Sequence, residues 1–567
     1  MPSILSKIWN LKPQAAPAGL SQWAGQLGVT EFLARLLYNR GLTTPEAMDV
    51  YLSPGLRHLC KPEDIPGLAG AARVLAQGLT EGKRLAVWGD YDVDGLTATS
   101  LMLEFLRSRG FDPLWHIPNR RDEGYGLNAA GIEELARAGA QMLLTVDCGI
   151  TNPAEAARAR ELGLTVVITD HHLPHGPLPD AQAVCNPRLA PCGLEHLAGV
   201  GVAFFLAAAV NRLLPGEPAD VRSLLDLVAL GVLADVVSLT GVNRVLVKNG
   251  LLLINEAARP GIYALKEASS FHPRAKLGAG QVVFGLAPRI NAAGRMGEAD
   301  AALNLLLAAD LETARPLANA LDRQNRLRRE EEELIREQAM AQAAEQGERM
   351  GLVLYAPGWR TGIIGIVASR VAEAANRPVL ILADERGLIK GSGRGVADFD
   401  LFAALGECRE ALAGFGGHRQ AAGLSLDPQR LGDLRLLFDA AVRRQLGDSP
   451  AQPKLTIDAE LEFSAIDHTL VKELDLMQPF GMGNPEPVFR TGGLILESRR
   501  EFGANHLLLE LRDPASGLKL RAKAWRMAEK FAALAPGKTL ALAHTPRLDQ
   551  YRGLDAIELR VKDVLME

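Results

Sequence analysis

Between Gly89 and Gly95 the chain reads GDYDVDG, with carboxylates at Asp90, Asp92 and Asp94 on alternate positions. Like charges this close repel unless a cation or protons stand between them. Further acidic and imidazole groups occur in TVDCGI (Asp147), TDHH (Asp170, His171, His172) and LGVLADVV (Asp235). Hard divalent cations take oxygen ligands, and Mn²⁺ also accepts imidazole. If Asp92, Asp94, Asp147, His171 and Asp235 converge, they can hold two such ions. Two ions roughly 3.5–4 Å apart clamp the attacking and leaving oxygens of a phosphoryl displacement. Each motif alone has an ordinary reading. Alternating aspartates make turns or calcium loops, and a His pair is often solvated. Their joint occurrence after predicted strands favours metal-assisted phosphoester hydrolysis.

Those side chains need elements to carry them. The runs RLAVWGDYD, QMLLTVDCGI and LTVVITDHH alternate with alanine-rich helical segments. That spacing predicts a parallel α/β sheet, whose ligands collect at the carboxyl ends of its strands. Asp235 lies in a nearly all-apolar run from Leu224 to Leu239, where an isolated buried carboxylate costs several kcal/mol. Asp226, in the same run, reads as facing solvent. The expected organisation is an N-terminal helical segment (1–70), the metal-site α/β domain (71–310), a charged connecting helix (311–350), a second α/β domain (351–447) and a barrel (453–567). The charged helix reads as solvated. GSGRG, in the second domain, reads as a flexible glycine-rich loop whose amides form an anion nest. The last block has the short alternating runs of a small all-β barrel.

The length, 567 residues, suits about three or four domains of roughly 150 residues. With 48% apolar and 5% aromatic residues it can bury aliphatic cores. The net charge of −5 does not suit a uniformly basic nucleic-acid binder, so any polyanion site must be a local patch. Such a patch exists: Pro487 to Lys562 holds 14 Lys and Arg against 8 Asp and Glu. Phe502, Trp525 and Tyr551 lie in or beside it; the first reading for each is core, and the second is a platform for stacking bases. Phosphodiesters are gripped by planar guanidinium forks and amides. Arg120 and Arg121, then Arg289, Asn291 and Arg295, then Ser392, Gly393 and Arg394, and finally His418 offer that chemistry. Five scattered cysteines, without a CxxC pair, fit a reducing compartment. The start, MPSILSKIWN, lacks the apolar run of a secretory signal, and no apolar stretch reaches a membrane span, so the expectation is cytoplasmic.

Taken in order, GDYDVDG, TVDCGI, TDHH and LGVLADVV resemble the four motifs of the DHH phosphoesterase superfamily. GWRTGIIGIVASR, GSGRG and FGGH resemble its DHHA1 substrate domain. PRINAAGRM and QPFGMGNPEPVF look like the superfamily's single-strand-specific 5′→3′ DNA exonucleases, and the barrel resembles an OB-fold. The resemblance runs from about residue 60 onward. It implies two α/β domains with parallel sheets, DHH and DHHA1, joined by a long helix and followed by the all-β barrel. It also implies two Mn²⁺ or Mg²⁺ ions, single-stranded DNA as substrate and 5′-mononucleotides as products. Roles in recombination and repair, including mismatch repair, follow, as does a monomer working beside single-strand binding protein and a helicase. Residue by residue it implies metal ligation by Asp92, Asp94, Asp147 (bridging), His171 and Asp235. Asp90 is either a further ligand or stands behind the ligands. His172 faces the scissile phosphate, Asp170 orients the imidazoles and Arg121 contacts substrate. Two other readings keep part of this pattern. A phosphodiesterase for short oligonucleotides or cyclic dinucleotides, or a pyrophosphatase, would not need the barrel. A non-catalytic DNA-binding scaffold would not need a full carboxylate set.

Overall fold

The computed structural model describes residues 3–119, 123–296, 299–385, 387–450, 452–549 and 556–567, with the side chains of 295 and 296 excepted. Near the start, β1 (Ile8–Leu11) forms a strand inside the segment expected to be helical. The metal-site domain is built on β2 (Leu85–Trp88), β3 (Leu114–His116), β4 (Met142–Thr145), β5 (Thr165–Thr169) and β6 (Ala183–Cys185). All are parallel, in the order β3-β2-β4-β5-β6. Their central members are buried throughout, as a parallel sheet covered on both faces requires. The apolar run Val200–Val210 is the middle of the buried helix Gly199–Leu213, which packs behind the sheet with the helices Val93–Ser108 and Leu225–Ala234.

Register levels the strand ends. Trp88 pairs with Thr145, and Thr145 with Ile168, so the residues following β2, β4 and β5 emerge side by side. Asp235 arrives differently: it caps the C-terminus of the helix Leu225–Ala234, not the end of a strand. Asp226, expected in solvent, is buried and clamped by Arg259 at 2.7 Å. An apolar run can therefore hide a carboxylate when an arginine distant in sequence neutralises it.

The connecting helix runs Leu311–Glu345. It is not solvated all round: Asp322, Asn325, Arg328 and Glu332 are buried on one face. Asp322 pairs with Arg289 of the metal-site domain, and Glu332 with Arg370 of the following domain. That domain contains β7 (Leu352–Tyr355), β8 (Val379–Glu385), β9 (Leu388–Arg394), β10 (Gly414–Gly417) and β11 (Ala421–Leu426), ordered β10-β11-β9-β8-β7. Its β–α–β unit, β7 and β8 around the helix Thr361–Ala375, is parallel, and the remaining pairs are antiparallel. Gly391 to Arg394 lie within β9, hydrogen-bonded between β8 and β11. GSGRG is thus a strand end, not a flexible loop, and its ladder amides are committed to neighbouring strands. Glycine relieves packing there: a Cβ at Gly391 would lie 2.3 Å from a Leu382 methyl and force that buried side chain to shift.

After the linker come β12 (Lys454–Ile457), β13 (Ala459–Glu460), β14 (Phe489–Phe502), β15 (His506–Arg512), β16 (Lys519–Ala524), β17 (Thr539–Leu548) and β18 (Ile557–Met566). β14, β15, β16, β18 and β17 close into a barrel through the β14–β17 pairing. The chain's beginning belongs to this end of the molecule. β1 pairs in parallel with β12, and Leu33, Leu36, Leu37 and Met48 share one core with Phe489, Leu509 and Phe531 of the barrel. Buried Arg244, from the helix Gly241–Glu256, donates to the carbonyls of Tyr51, Leu476 and Met477, tying three regions together.

Candidate metal centre

At the ends of β2, β4 and β5 the sequence motifs meet. Asp92 caps the helix Val93–Ser108, accepting from the Gly95 amide at 3.1 Å, so the GDYDVDG loop is a helix start as well as an acidic cluster. Asp94 is buried, and its two oxygens accept the amides of Gly199 and Val200 at 2.7 and 2.9 Å. These are orphan amides at a helix N-terminus, a natural seat for a carboxylate. A Cβ at Gly199 would lie 2.4 Å from Asp147, so only glycine fits there. Asp147 follows β4 at φ 63°, a left-handed conformation that a non-glycine residue holds at a cost of ~1–3 kcal/mol.

His171 Nε2 lies 3.1 Å from Asp147, 3.7 Å from Asp94 and 3.8 Å from Asp235. Three overlapping groups have ligand atoms within 4.8 Å of one another: Asp90, Asp92 and Asp147; Asp94, His171 and Asp235; and Asp147, His171 and His172. Asp147 joins the first group to the third, and His171 joins the second to the third.

The electrostatics identify what is missing from a purely protein account. Burial, then the charge of Asp92, push Asp94 up to about 7 despite its two amide bonds. Burial, then Asp94 and Asp92, push Asp235 up to about 9, and burial with the neighbouring aspartates raises Asp147 well above its ordinary value. Burial and the charge of His172 push His171 down to about 3, so its ring is neutral. Asp147 Oδ1 and both ring nitrogens of His171 are buried without a hydrogen-bond partner among the described residues. Orphaned oxygens and a neutral imidazole aimed at one another are the donor set of a hard or borderline divalent cation.

His172 differs from its neighbour. Burial opposes its charge, but the hydrogen bond and charge of Asp170 push it up to about 9, so it is a cation at neutral pH. Asp170 accepts from His172 Nδ1 at 2.8 Å and from the amides of Ile150, His171 and His172. It therefore orients His172 and touches only the backbone of His171.

The expected substrate residues are dispersed. Arg120 and Arg121 lie outside the described residues, as do Tyr551 and the side chain of Arg295. Asn291 Oδ1 accepts the amide of Val93 at 3.2 Å and so braces the metal loop. Its helix, Ala287–Met296, presses so close that a Cβ at Gly294 would meet the Tyr91 carbonyl at 2.2 Å. Arg289 is engaged with Asp322 at 2.8 Å and with the Gly285 carbonyl. Arg394 binds the hydroxyls of Ser369 and Ser392 at 3.0 and 3.1 Å, and among the described residues no carboxylate pairs with it. His418 is exposed at the β10–β11 turn. Several participants carried no readable signal. Tyr125 contacts His172 at 3.1 Å, Asn186 donates to the His172 carbonyl, and Gly199 and Val200 hold Asp94. The glycines of HLAGVGVAF, at a helix start, are the only mark these left.

The chain matches the models of the DHH family N-terminal domain at 84–232, the DHHA1 domain at 350–444 and the RecJ OB domain at 457–563. It is 34% identical over 545 residues to the single-stranded-DNA-specific exonuclease RecJ of Bacillus subtilis, covering 95% of this chain and 68% of that protein. To the protein of the same name from Dickeya dadantii it is 36% identical over 555 residues, covering 94% and 95%. The crystal structure of RecJ in complex with Mn²⁺ from Thermus thermophilus superposes with a TM-score of 0.84 at 34% identity, over 98% of this chain and 79% of that one. The Mg²⁺ complex gives 0.78 at 32% identity, over 98% and 78%.

Proposed function

Because the chain belongs to the RecJ family of single-stranded-DNA-specific exonucleases, we propose that its aspartate–histidine cluster hydrolyses the phosphodiesters of single-stranded DNA from the 5′ end. It releases 5′-mononucleotides and acts in recombination and repair. The cofactor is Mn²⁺ or Mg²⁺, and the observation that carries the reading is the buried, unpartnered pair Asp147 Oδ1 and His171 Nε2 amid raised carboxyls. When bound, the ions activate water and neutralise charge on the phosphate. Asp92, Asp94, Asp147, His171 and Asp235 would hold them, with Asp147 proposed to serve both and Asp90 in one acidic group with Asp92 and Asp147. His172, kept cationic by Asp170, offers its ring to the scissile phosphate.

Direction requires recognition of the end. A terminal 5′-phosphate carries more charge than an internal phosphodiester. Arg394, partly buried, flanked by two serine hydroxyls and without an acidic partner among the described residues, suits it. Ser392 and Gly393 serve by shaping that guanidinium; Arg121, Arg289 and His418 complete the proposed substrate set, while Asn291 braces the metal loop beside it. Residues 71–310, 351–447 and 453–567 then divide into catalysis, end recognition and strand binding. Residues 311–350 connect the first two, and Leu33, Leu36, Leu37 and Met48 of the 1–70 segment complete the barrel's core. We read the enzyme as a cytoplasmic monomer acting beside single-strand binding protein and a helicase. Among the described residues no helix is long and apolar enough to cross a membrane. The deciding experiment digests 5′- and 3′-labelled single strands, duplex and short RNA in Mn²⁺. Mononucleotides released first from the 5′ end of single-stranded DNA support the reading, and release from the 3′ end or from duplex overturns it.

A further inference from the structure

The segment QPFGMGNPEPVF, Gln478 to Phe489, leads into the barrel, yet its tip lies against the metal-site domain. Gly481 and Asn484 exchange backbone hydrogen bonds at 2.9 and 3.1 Å, which closes a tight turn. The Asn484 side chain is buried and makes all four bonds open to an amide. It donates to the carbonyls of Met477 and Pro479 and accepts from Tyr51 and Arg40. What this braced turn touches is the stretch just after Asp235. The Leu239 amide donates to the Met482 carbonyl at 2.8 Å. A Cβ at Gly483 would lie 2.1 Å from Ser238 Oγ, and one at Gly481 2.7 Å from a Leu239 methyl. From the other side, buried Asn243 donates to the Ser238 carbonyl at 3.0 Å. Residues 236–239 are thus gripped between the helix Gly241–Glu256 and the Gly481–Asn484 turn.

That grip restrains an unfavourable conformation. Val236 has φ 58°, in the left-handed region that glycine commonly fills after a helix end and that a β-branched residue avoids. Its side chain is 57% exposed, so burial does not repay the conformation, and contacts made by its neighbours must hold it. Asp235 depends on this turn more than the other ligands depend on theirs. Asp92 and Asp94 accept backbone amides, which fix their carboxylates directly. Among the described residues the Asp235 carboxylate makes no hydrogen bond and meets only His171, at 3.8 Å. It also caps a helix C-terminus, where the dipole disfavours an anion. Its place in the cluster is therefore inherited from the backbone that follows it.

We propose that the Gly481–Asn484 turn is a positioning element for Asp235: by holding residues 236–239 it delivers that carboxylate to the metal centre. Gly483 acts through Ser238, and the Met482 carbonyl through the Leu239 amide. The proposal rests on the metal reading of the centre. The turn continues through Pro487, whose carbonyl accepts from Thr545 of β17, into β14. The seating of the barrel on the metal-site domain thereby sets how tightly one of the two ions is held. Such coupling is reciprocal: an ion bound by Asp235 must in turn hold the Gly481–Asn484 turn in place.

The test adds Mn²⁺ to the metal-free full chain, without DNA. In wild type, Mn²⁺ at a hundredfold excess over its Kd should slow hydrogen exchange in residues 236–240 and 477–486 by up to about 100-fold, the factor by which a bound ion suppresses openings that release it. In calorimetric titrations, Gly483→Ala should weaken one ion seat about 10- to 100-fold, the range for a residue that orients a ligand, and leave the other near wild type. Adding Ser238→Gly removes the atoms that the new methyl strikes and should restore most of the lost affinity. A purely structural role would lower the unfolding midpoint without separating the two seats. If Mn²⁺ slows exchange around Asp92, Asp147 and His171 but not in 477–486, or if folded Gly483→Ala binds Mn²⁺ as wild type does, the positioning role falls and the metal reading stands. If wild type binds no Mn²⁺, the metal reading falls and the positioning role with it. Should Gly483→Ala fail to fold, the exchange measurement on wild type decides by itself.

Discussion

At the residue scale the centre is explained by what its side chains lack. Asp147 and His171 are buried and face each other at 3.1 Å, and neither facing atom has a hydrogen-bond partner among the described residues. Asp147→Ala should therefore reduce cleavage to background at any Mn²⁺ concentration, while affinity for single strands, measured without metal, stays close to wild type. Near-normal rates in that variant would remove Asp147 from both ion seats. The same logic predicts a thermal signature. A cation bound only by the folded site, at a hundredfold excess over its Kd, stabilises by about 2.7 kcal/mol. Mn²⁺ should raise the unfolding midpoint of wild type by a few degrees and that of Asp147→Ala by much less, as calorimetry would show.

At the element scale, a helix and a strand act as jigs. Helix Ala287–Met296 braces the GDYDVDG loop through Asn291 and the close approach of Gly294. Loss of an outer hydrogen bond of this kind typically costs 10- to 100-fold in metal affinity. Asn291→Ala should raise the half-saturating Mn²⁺ concentration by about that factor with KM for DNA little changed. The opposite pattern, a raised KM at unchanged metal demand, would make Asn291 a direct substrate ligand. Strand β9 holds Arg394 rigidly, so end recognition need not order a loop. Charge-assisted contacts are worth roughly 1.5–3 kcal/mol each. Arg394→Ala should shrink the rate preference for 5′-phosphate over 5′-hydroxyl strands about 10- to 150-fold. A ratio equal to wild type would place end recognition elsewhere.

At the scale of the whole molecule the barrel is not a detachable module. Its core is continuous with Leu33, Leu36 and Leu37, and Arg244 of the metal-site domain loses two of its three carbonyl partners if residues 453–567 are removed. A buried charge stripped of partners is strongly destabilising. That truncation should therefore lower overall stability and expose apolar surface, seen as a lower midpoint and dye binding, and not merely weaken DNA affinity. Surface changes are the cleaner probe. Arg500→Ala with Arg521→Ala should leave stability within about 0.5 kcal/mol each. Together they should reduce the slope of log affinity against log salt by about 1.4, at ~0.7 per phosphate contact on single strands. An unchanged slope would take both arginines off the strand's path.

The sequence alone determined the ligand types, their order and the strands that carry most of them. Those depend on local alternation of apolar runs and on carboxylates placed directly after them. It also determined the barrel, because period-two alternation is local. What it could not determine were choices made by residues far apart in the chain. Asp226, in the same apolar run as Asp235, reads as facing solvent, yet Arg259 meets it in the interior and neutralises it. GSGRG reads as a loop until β8 and β11 close on both sides of it. Arg289 reads as a free fork until Asp322 meets it, and Trp525 reads as core until the barrel turns it toward solvent. In each case the side chain's role depends on the partner that arrives. Such partners are selected by packing across hundreds of residues, where burial makes an unpaired charge costly and a paired one tolerable.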